Sequence, residues 1–337
     1  MPEYSSLAYA RSASPDYDEE FFDDMLRMFT GMGRGEVSKY MYDRGEDTAD
    51  NNLWEEIVKV RTDYYVPQAD SELMDEARGE LARYVPSGIS YVDFGIGGSE
   101  SFKRYVLPTM RSLASVEYYG LDFDQKILDQ IESDRTTLSD IDVHTVRTDF
   151  FTPSNRIIAS TPALGVMNGI TLTNMYGSLI DASPAANLVG ALKYLSQLTN
   201  HGWLLLSIDT NQDRESLLKM YLTPLNSKLN IAPLPRMELD LPVSGFDASL
   251  YEYTPEWFPE KQLLAHLATA TEDQEFMLGD YSIQVREGQK LHLFNSYKFR
   301  QSFFEECCCK ANVGVVRSWK HQSGVMLYLL NDTRRVF

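Results

Sequence analysis

Between residues 89 and 208, short runs rich in β-branched and aromatic residues alternate with stretches of helical period, and no other feature constrains the fold as much. The runs occupy 89–94, 116–121, 143–147, 163–167 and 203–208, and helical patterns fill 100–113, 125–133 and 185–198. Strands joined through a helix pair in parallel, because the crossover lays the helix on a face of the sheet. A helix over 299–312 and two strands, 313–319 and 324–330, close the chain and give the parallel sheet an antiparallel end. The predicted fold class is therefore α/β, with seven strands in one sheet.

The alternation stops between 210 and 298. Six prolines (Pro224, Pro233, Pro235, Pro242, Pro255 and Pro259) and a hairpin-like run at 281–285 mark that stretch as an insertion of different architecture. Ahead of the sheet, 17–29 and 52–60 carry helical patterns, and 71–84 carries a stronger one with Ser71 placed to cap it. Residues 1–20, rich in Ser, Tyr, Pro and acid, are expected to fray.

Charge narrows the partners. The chain has 31 basic and 49 acidic residues, a net −18, with no cluster of Lys and Arg. Such a surface repels phosphate backbones and anionic lipid, so neither nucleic acid nor membrane is an expected partner. No window reaches the roughly 18 apolar residues of a spanning helix. The N-terminus lacks the basic and apolar regions of a signal peptide, and a cytoplasmic protein is expected. The three cysteines are consecutive, Cys307 to Cys309, within a helical pattern. Neighbours on a helix point about 100° apart, so they cannot converge on a metal, and the five histidines have no ligand spacing. No metal site is expected.

The sharpest local feature is Val92-Asp93-Phe94-Gly95-Ile96-Gly97-Gly98-Ser99-Glu100, directly after a strand and before a helix. Gly95, Gly97 and Gly98 let the turn tighten and let a ligand approach the backbone. Gly120-Leu121-Asp122 ends the next strand, with Asp122 27 residues after Gly95, where an acid suits ribose hydroxyls. Asp149-Phe150 follows the third strand, where a carboxylate could meet an adenine amino group and an aromatic could cover its ring. Asp93, Asp122 and Asp149 thus line one edge of the sheet. A pyrophosphate is disfavoured beside Asp93, whereas a sulfonium cofactor has no phosphate and is positively charged. The acids therefore favour S-adenosyl-L-methionine over a dinucleotide. A nicotinamide-dependent oxidoreductase also lacks its catalytic Tyr-x-x-x-Lys here.

Five short runs in order resemble one family. They are Tyr40-Met41-Tyr42-Asp43 with Leu53-Trp54-Glu55-Glu56-Ile57 and Asp63-Tyr64-Tyr65; Gly169-Ile170-Thr171-Leu172-Thr173-Asn174-Met175; and Asn295-Ser296-Tyr297-Lys298-Phe299-Arg300. The sequence is similar to the histidine Nα-methyltransferases of the ergothioneine pathway, a family that includes fungal enzymes acting on prenylated tryptophan. The resemblance implies a class I methyltransferase, Rossmann-like, with a second α+β substrate-binding domain. The cofactor-binding domain would take 65–209 and 299–337, and the substrate-binding domain 17–64 and 210–298. It also implies roles for single residues. Asn174 and Tyr221 fall where the family binds the substrate carboxylate, Tyr42 near the amine, Tyr64 toward the side chain, and Ser296 in the side-chain pocket. Tyr42, Asn174 and Tyr221 are the expected catalytic group.

The departures bear on the substrate. Histidine-specific members carry a Glu, two residues before that Ser, which recognises the imidazole. Here the position is Phe294, which accepts no hydrogen bond, so histidine is disfavoured and an aromatic or apolar side chain fits better. Ala265, where those members have Met, would widen the pocket. The family's Pro-Thr-Arg-Thr-Glu run is replaced by Pro67-Gln68-Ala69-Asp70-Ser71-Glu72, and its cofactor-contacting Lys by Ser101. The expected activity is SAM-dependent N-methylation of a small amino acid or a derived amine by a monomer or weak homodimer. A catalytically silent binding module and a histidine N-methyltransferase with an altered pocket are the alternatives.

Overall fold

The computed structural model describes residues 18–31, 37–41, 53–60, 64–98, 101–133, 140–148, 159–174 and 184–334. The chain opens with α1 (Glu19–Thr30), whose first turn is capped by Asp18 accepting from the Glu20 and Phe21 amides. Then come α2 (Leu53–Lys59) and α3 (Val66–Leu81). The third helix starts five residues earlier than the expected cap at Ser71. Pro67 sits in its first turn, where an N–H has no intrahelical acceptor and proline costs nothing.

The sheet follows. Its first strands are β1 (Tyr91–Phe94), β2 (Glu117–Asp122), β3 (Asp142–Arg147), β4 (Leu164–Met167) and β5 (Trp203–Asp209). The crossover from β1 to β2 is a wide, π-type stretch (Phe102–Val106) that runs into α4 (Leu107–Ser112). Helices α5 (Gln125–Ser133) and α6 (Pro184–Leu198) serve later crossovers. After β5 the chain leaves the sheet, and the insertion is built from three short helices and two small antiparallel sheets. The helices are α7 (Arg214–Tyr221), α8 (Pro224–Asn230) and α9 (Pro233–Asp240). Pro224 and Pro233 start helices rather than break them, each at a first-turn position.

Strands β6 (Val243–Ser244), β7 (Tyr251–Tyr253), β8 (Glu256–Phe258), β9 (Leu263–Ala270), β10 (Gln274–Leu278), β11 (Tyr281–Val285) and β12 (Lys290–Tyr297) complete the excursion. One small sheet runs β12-β9-β7, with β8 also pairing β9, and the other runs β11-β10-β6. The N-terminal α1 packs on them, with Phe29 edge-on to Phe246 and Phe276 and Phe22 against Tyr281. The chain then re-enters the large sheet through α10 (Gln301–Ala311), β13 (Val313–Lys320) and β14 (Val325–Asp332).

The large sheet has the order β13-β14-β5-β4-β1-β2-β3, with only β14 antiparallel to its neighbours. This is a Rossmann-like α/β sheet, with the seven strands expected from the sequence. Side chains alternate across β1. Val92 and Phe94 join the core with Leu188, Leu192, Phe304 and Cys307, while Tyr91 joins the core with Leu73, Met74, Ala77 and Val166 on the other. Each fully buried Leu or Phe contributes on the order of 2 kcal/mol, so both faces are held firmly. That leaves the carboxyl ends of β1, β2, β4 and β5 as a rigid rim facing the small sheets, where an open α/β sheet binds ligands.

Candidate active site

The turn after β1 is held open by backbone conformation. Gly95, Gly97 and Gly98 have φ of 82°, 69° and 117°, values that L side chains rarely adopt. Asp122, at the end of β2, accepts from the Ile96 amide at 2.9 Å through Oδ2 and from the Asp124 amide at 3.0 Å through Oδ1. Burial pushes its pKa up, against the pull of these hydrogen bonds. Asp93 sits on β1, opposite Gly120 of β2. It is 3% exposed and accepts from Tyr118 Oη at 3.0 Å, and burial pushes it up to about 8. The Trp54 indole leans across the turn, so that a Cβ at Gly97 would stand 3.1 Å from its Nε1 and one at Gly169 would stand 3.7 Å from its Cζ2.

A second wall is the segment after β4. Asp70, on α3, accepts from the Gly169 amide at 2.6 Å and from Ser207 Oγ at 3.3 Å, and burial pushes it up to about 7. The divergent run Pro67–Glu72 therefore still has a structural task here, since it fastens the turn that leads into the 3-10 helix Thr171–Asn174.

Two hydrogen-bonded chains link the large sheet to the small one. In the first, Ser296 Oγ donates to Asn174 Oδ1 at 2.8 Å and lies 2.9 Å from His266 Nε2, and His266 Nδ1 lies 2.6 Å from Tyr253 Oη. In the second, Lys298 Nζ donates to Tyr221 Oη at 3.0 Å and pairs with Asp209 Oδ2 at 3.1 Å. Tyr65 Oη donates to the same Asp209 oxygen at 2.7 Å, and Asn211 Nδ2 donates to Tyr65 Oη at 3.1 Å. Burial alone would lower the Lys298 pKa, but Asp209 and Tyr221 outweigh it and the net shift is upward. The ammonium is therefore kept.

Aromatic rings join the two chains. Tyr221 lies edge-on to His266 at 4.8 Å and tilted to Tyr64 at 5.9 Å, and Tyr64 is edge-on to Trp54 at 6.3 Å. Phe294 is the cross-strand partner of His266 and stacks on it, centroids 3.9 Å apart and planes 10° apart. A bulge between His292 and Phe294 sets that register.

The structure thus brings Tyr64, Asn174, Tyr221, Phe294 and Ser296 into one cluster and sets Gly95, Gly97, Gly98, Asp122 and Asp93 along the adjoining rim. Tyr42, Asp149 and Phe150 lie outside the described residues. The Asp93 carboxyl is buried and held by Tyr118, and the Ser296 hydroxyl is taken up by Asn174 and His266. Several residues had no role from sequence, among them His266, Tyr253, Lys298, Asp209, Tyr65 and Asp70. Lys298 and Tyr65 stood inside quoted motifs and were the most accessible of these. His266 carried no pattern, because its partners come from strands paired in space.

The residues present fit S-adenosylmethionine. Three left-handed glycines allow close backbone approach, Asp122 offers a carboxylate at the end of β2, and nothing phosphate-binding is required. Asn168 Oδ1, at the end of β4, is buried and has no hydrogen-bond partner among the described residues, leaving an acceptor for the cofactor's ammonium. Among the described residues no group of three or more His, Cys, Asp or Glu could hold a metal ion. No described helix is long and apolar enough to cross a membrane.

The chain matches a known family. A family model described as histidine-specific methyltransferase, SAM-dependent, matches residues 27–332. An uncharacterised protein of Sinorhizobium fredii is 26% identical over 276 residues, covering 78% of this chain and 90% of its own. An N-methyltransferase of Aspergillus flavus is 22% identical over 288 residues, covering 84% of this chain and 76% of its own. One of Aspergillus fumigatus is 20% identical over 259 residues, covering 76% and 70%. Among solved structures, a S-adenosylmethionine-dependent methyltransferase from Clostridium acetobutylicum superposes with TM-score 0.45 at 12% identity, over 83% of this chain and 96% of that one.

Proposed function

We propose a substrate class for this chain on the premise that it belongs to the family of SAM-dependent, histidine-specific methyltransferases. It is a SAM-dependent methyltransferase. Its substrate, in our reading, is the amine of a small amino acid or amino-acid-derived metabolite with an aromatic or apolar side chain, and not histidine. The relatives named as N-methyltransferases support nitrogen as the acceptor. The cofactor-binding part comprises 65–209 and 299–337, and the substrate-binding part 17–64 and 210–298.

The observation that carries this is the polarity of two side chains. Lys298 donates to the Tyr221 oxygen, so the Tyr221 hydrogen is free to be donated elsewhere. Ser296 occupies Asn174 Oδ1, which leaves the Asn174 NH2 group as the donor for a substrate. Two donors suit a carboxylate and repel an ammonium. At the side-chain end, both ring nitrogens of His266 are engaged and Phe294 offers none, so that wall presents no acceptor to an imidazole.

S-adenosylmethionine, when bound, supplies the electrophilic methyl group and the leaving sulfide. The chain's own residues have to anchor the carboxylate, align the amine in line with that methyl and admit it in the neutral form. Asn174 and Tyr221 anchor, Tyr64 and Phe294 shape the side-chain space, and Tyr42 orients the amine. Gly95, Gly97, Gly98, Asp93, Asp122, Asp149 and Phe150 form the cofactor side. The amine's proton is lost to solvent before transfer, since His266 is enclosed by its partners. Release of S-adenosylhomocysteine across a panel of amino acids and their amines tests this, with product mass counting the methyl groups. Aromatic or apolar amino acids should lead. Histidine as the best substrate would overturn the assignment of Phe294.

A further inference from the structure

His266 is fully buried in β9, and the motifs that mark the family do not include it. Its two ring nitrogens face two hydroxyls, Tyr253 Oη at 2.6 Å and Ser296 Oγ at 2.9 Å, and the second hydroxyl reaches Asn174 Oδ1 at 2.8 Å. Burial, reinforced by the Lys298 ammonium and His292, holds the imidazole well below its ordinary pKa, so the ring carries a single proton.

One ring proton, one Ser296 hydrogen and one Tyr253 hydrogen can be ordered in only two ways. In the first, Tyr253 donates to Nδ1, Nε2–H donates to Ser296, and Ser296 donates to Asn174 Oδ1. In the second every bond reverses, the Asn174 amide turns over, and its oxygen takes the place of the NH2 group. The Asn174 end decides between them. Asn174 presents its oxygen to Ser296, so Ser296 gives its hydrogen there and accepts from Nε2–H. Nδ1, left without a hydrogen, then accepts from the Tyr253 hydroxyl. The phenol keeps that hydrogen, because burial raises its pKa well above the ordinary value.

We propose that His266 is a positioning residue that sets the polarity of the substrate anchor: through Ser296 it holds the Asn174 amide with its NH2 group toward the substrate carboxylate. No proton moves. The chain Tyr253–His266–Ser296–Asn174 stores an orientation, and His266 is its one member with two different faces, an acceptor at Nδ1 and a donor at Nε2. This rests on the reading of Asn174 as a carboxylate anchor.

The test is selectivity between an amino acid and the same molecule without its carboxylate. L-tryptophan and tryptamine, and L-phenylalanine and phenethylamine, are titrated into protein saturated with S-adenosylhomocysteine. The wild type should prefer the amino acid. In His266→Phe the preference should fall about tenfold or more, the range of one hydrogen bond to a charged group, through weaker amino-acid binding with amine binding within about twofold. His266→Gln keeps a donor near Nε2 and should restore most of the preference. Tyr253→Phe, a small change at the remote end, releases the tautomer and should lower the preference several-fold, and it carries the test if His266→Phe does not fold. Affinity for S-adenosylhomocysteine should not change in any variant. A wild type that binds acid and amine alike, or binds neither, sinks the carboxylate reading and this inference with it. A selective wild type whose selectivity survives in both His266→Phe and Tyr253→Phe sinks the role of His266 alone.

Discussion

Lys298 Nζ and Asp209 Oδ2 lie 3.1 Å apart, and neither side chain has any exposure to solvent. The pair joins the last residue of β5 to the residue that follows β12, so it ties the large sheet to the small one at the site itself. Removing one partner strands a buried charge. Lys298→Met is expected to cost about 3–5 kcal/mol in urea unfolding. Lys298→Met combined with Asp209→Asn should lose clearly less, because no uncompensated charge remains. Equal losses in the single and double variants would show that the pair is not what holds these elements.

Tyr221 receives the Lys298 ammonium on its oxygen and so points its hydrogen away from it. Tyr221→Phe deletes that donor while leaving the ring against His266 and Tyr64. The substrate Michaelis constant should rise about tenfold or more, the range for a hydrogen bond to a charged group. Cofactor affinity should stay the same. An unchanged Michaelis constant would remove Tyr221 from the anchor.

Gly97 is placed by two separate demands. Its φ is 69°, and an added Cβ would lie 3.1 Å from Trp54 Nε1. Gly97→Ala should weaken S-adenosylhomocysteine binding about tenfold in calorimetry, part of it from the left-handed backbone and part from the Trp54 contact. Gly97→Ala with Trp54→Phe relieves the contact but not the φ, so it should recover only part. Full recovery would mean that the left-handed backbone is not needed there.

Much of this was legible in the sequence. The seven strands and the glycine turn follow from local composition, and local composition determines strand and turn chemistry directly. The insertion was less legible. Its prolines read as breakers, yet Pro224 and Pro233 occupy first turns, where the missing N–H is harmless. His266 itself was not legible, although Phe294, Ser296, Asn174 and Tyr221 around it were named from the sequence. His266, Phe294 and Ser296 meet only through the β9–β12 register, and that register shifts at a bulge that no residue pattern announces. The role of Asp70 was hidden because its partner Gly169 is 99 residues away.

Asp70 gives a pH dependence whose sign is opposite to that of a salt-bridged acid. Burial raises its pKa from 3.8 to about 7, although the Gly169 amide and Ser207 hydroxyl pull it down. The folded state therefore keeps a proton that the unfolded chain gives up near pH 4. Below pH 4 both states hold the proton, and Asp70 makes no contribution to the slope. Between about pH 4 and 7 the folded state binds more protons, so stability falls as pH rises. Above about 7 the full penalty, on the order of a few kcal/mol, is present. Asp70→Asn stays neutral throughout and retains an oxygen for the Gly169 amide. Its stability relative to the wild type, read by urea unfolding, should climb between pH 4.5 and 7.5 and then level off. A difference that is flat across that range would show that Asp70 is ionised in the folded protein, and that its two hydrogen bonds outweigh its burial.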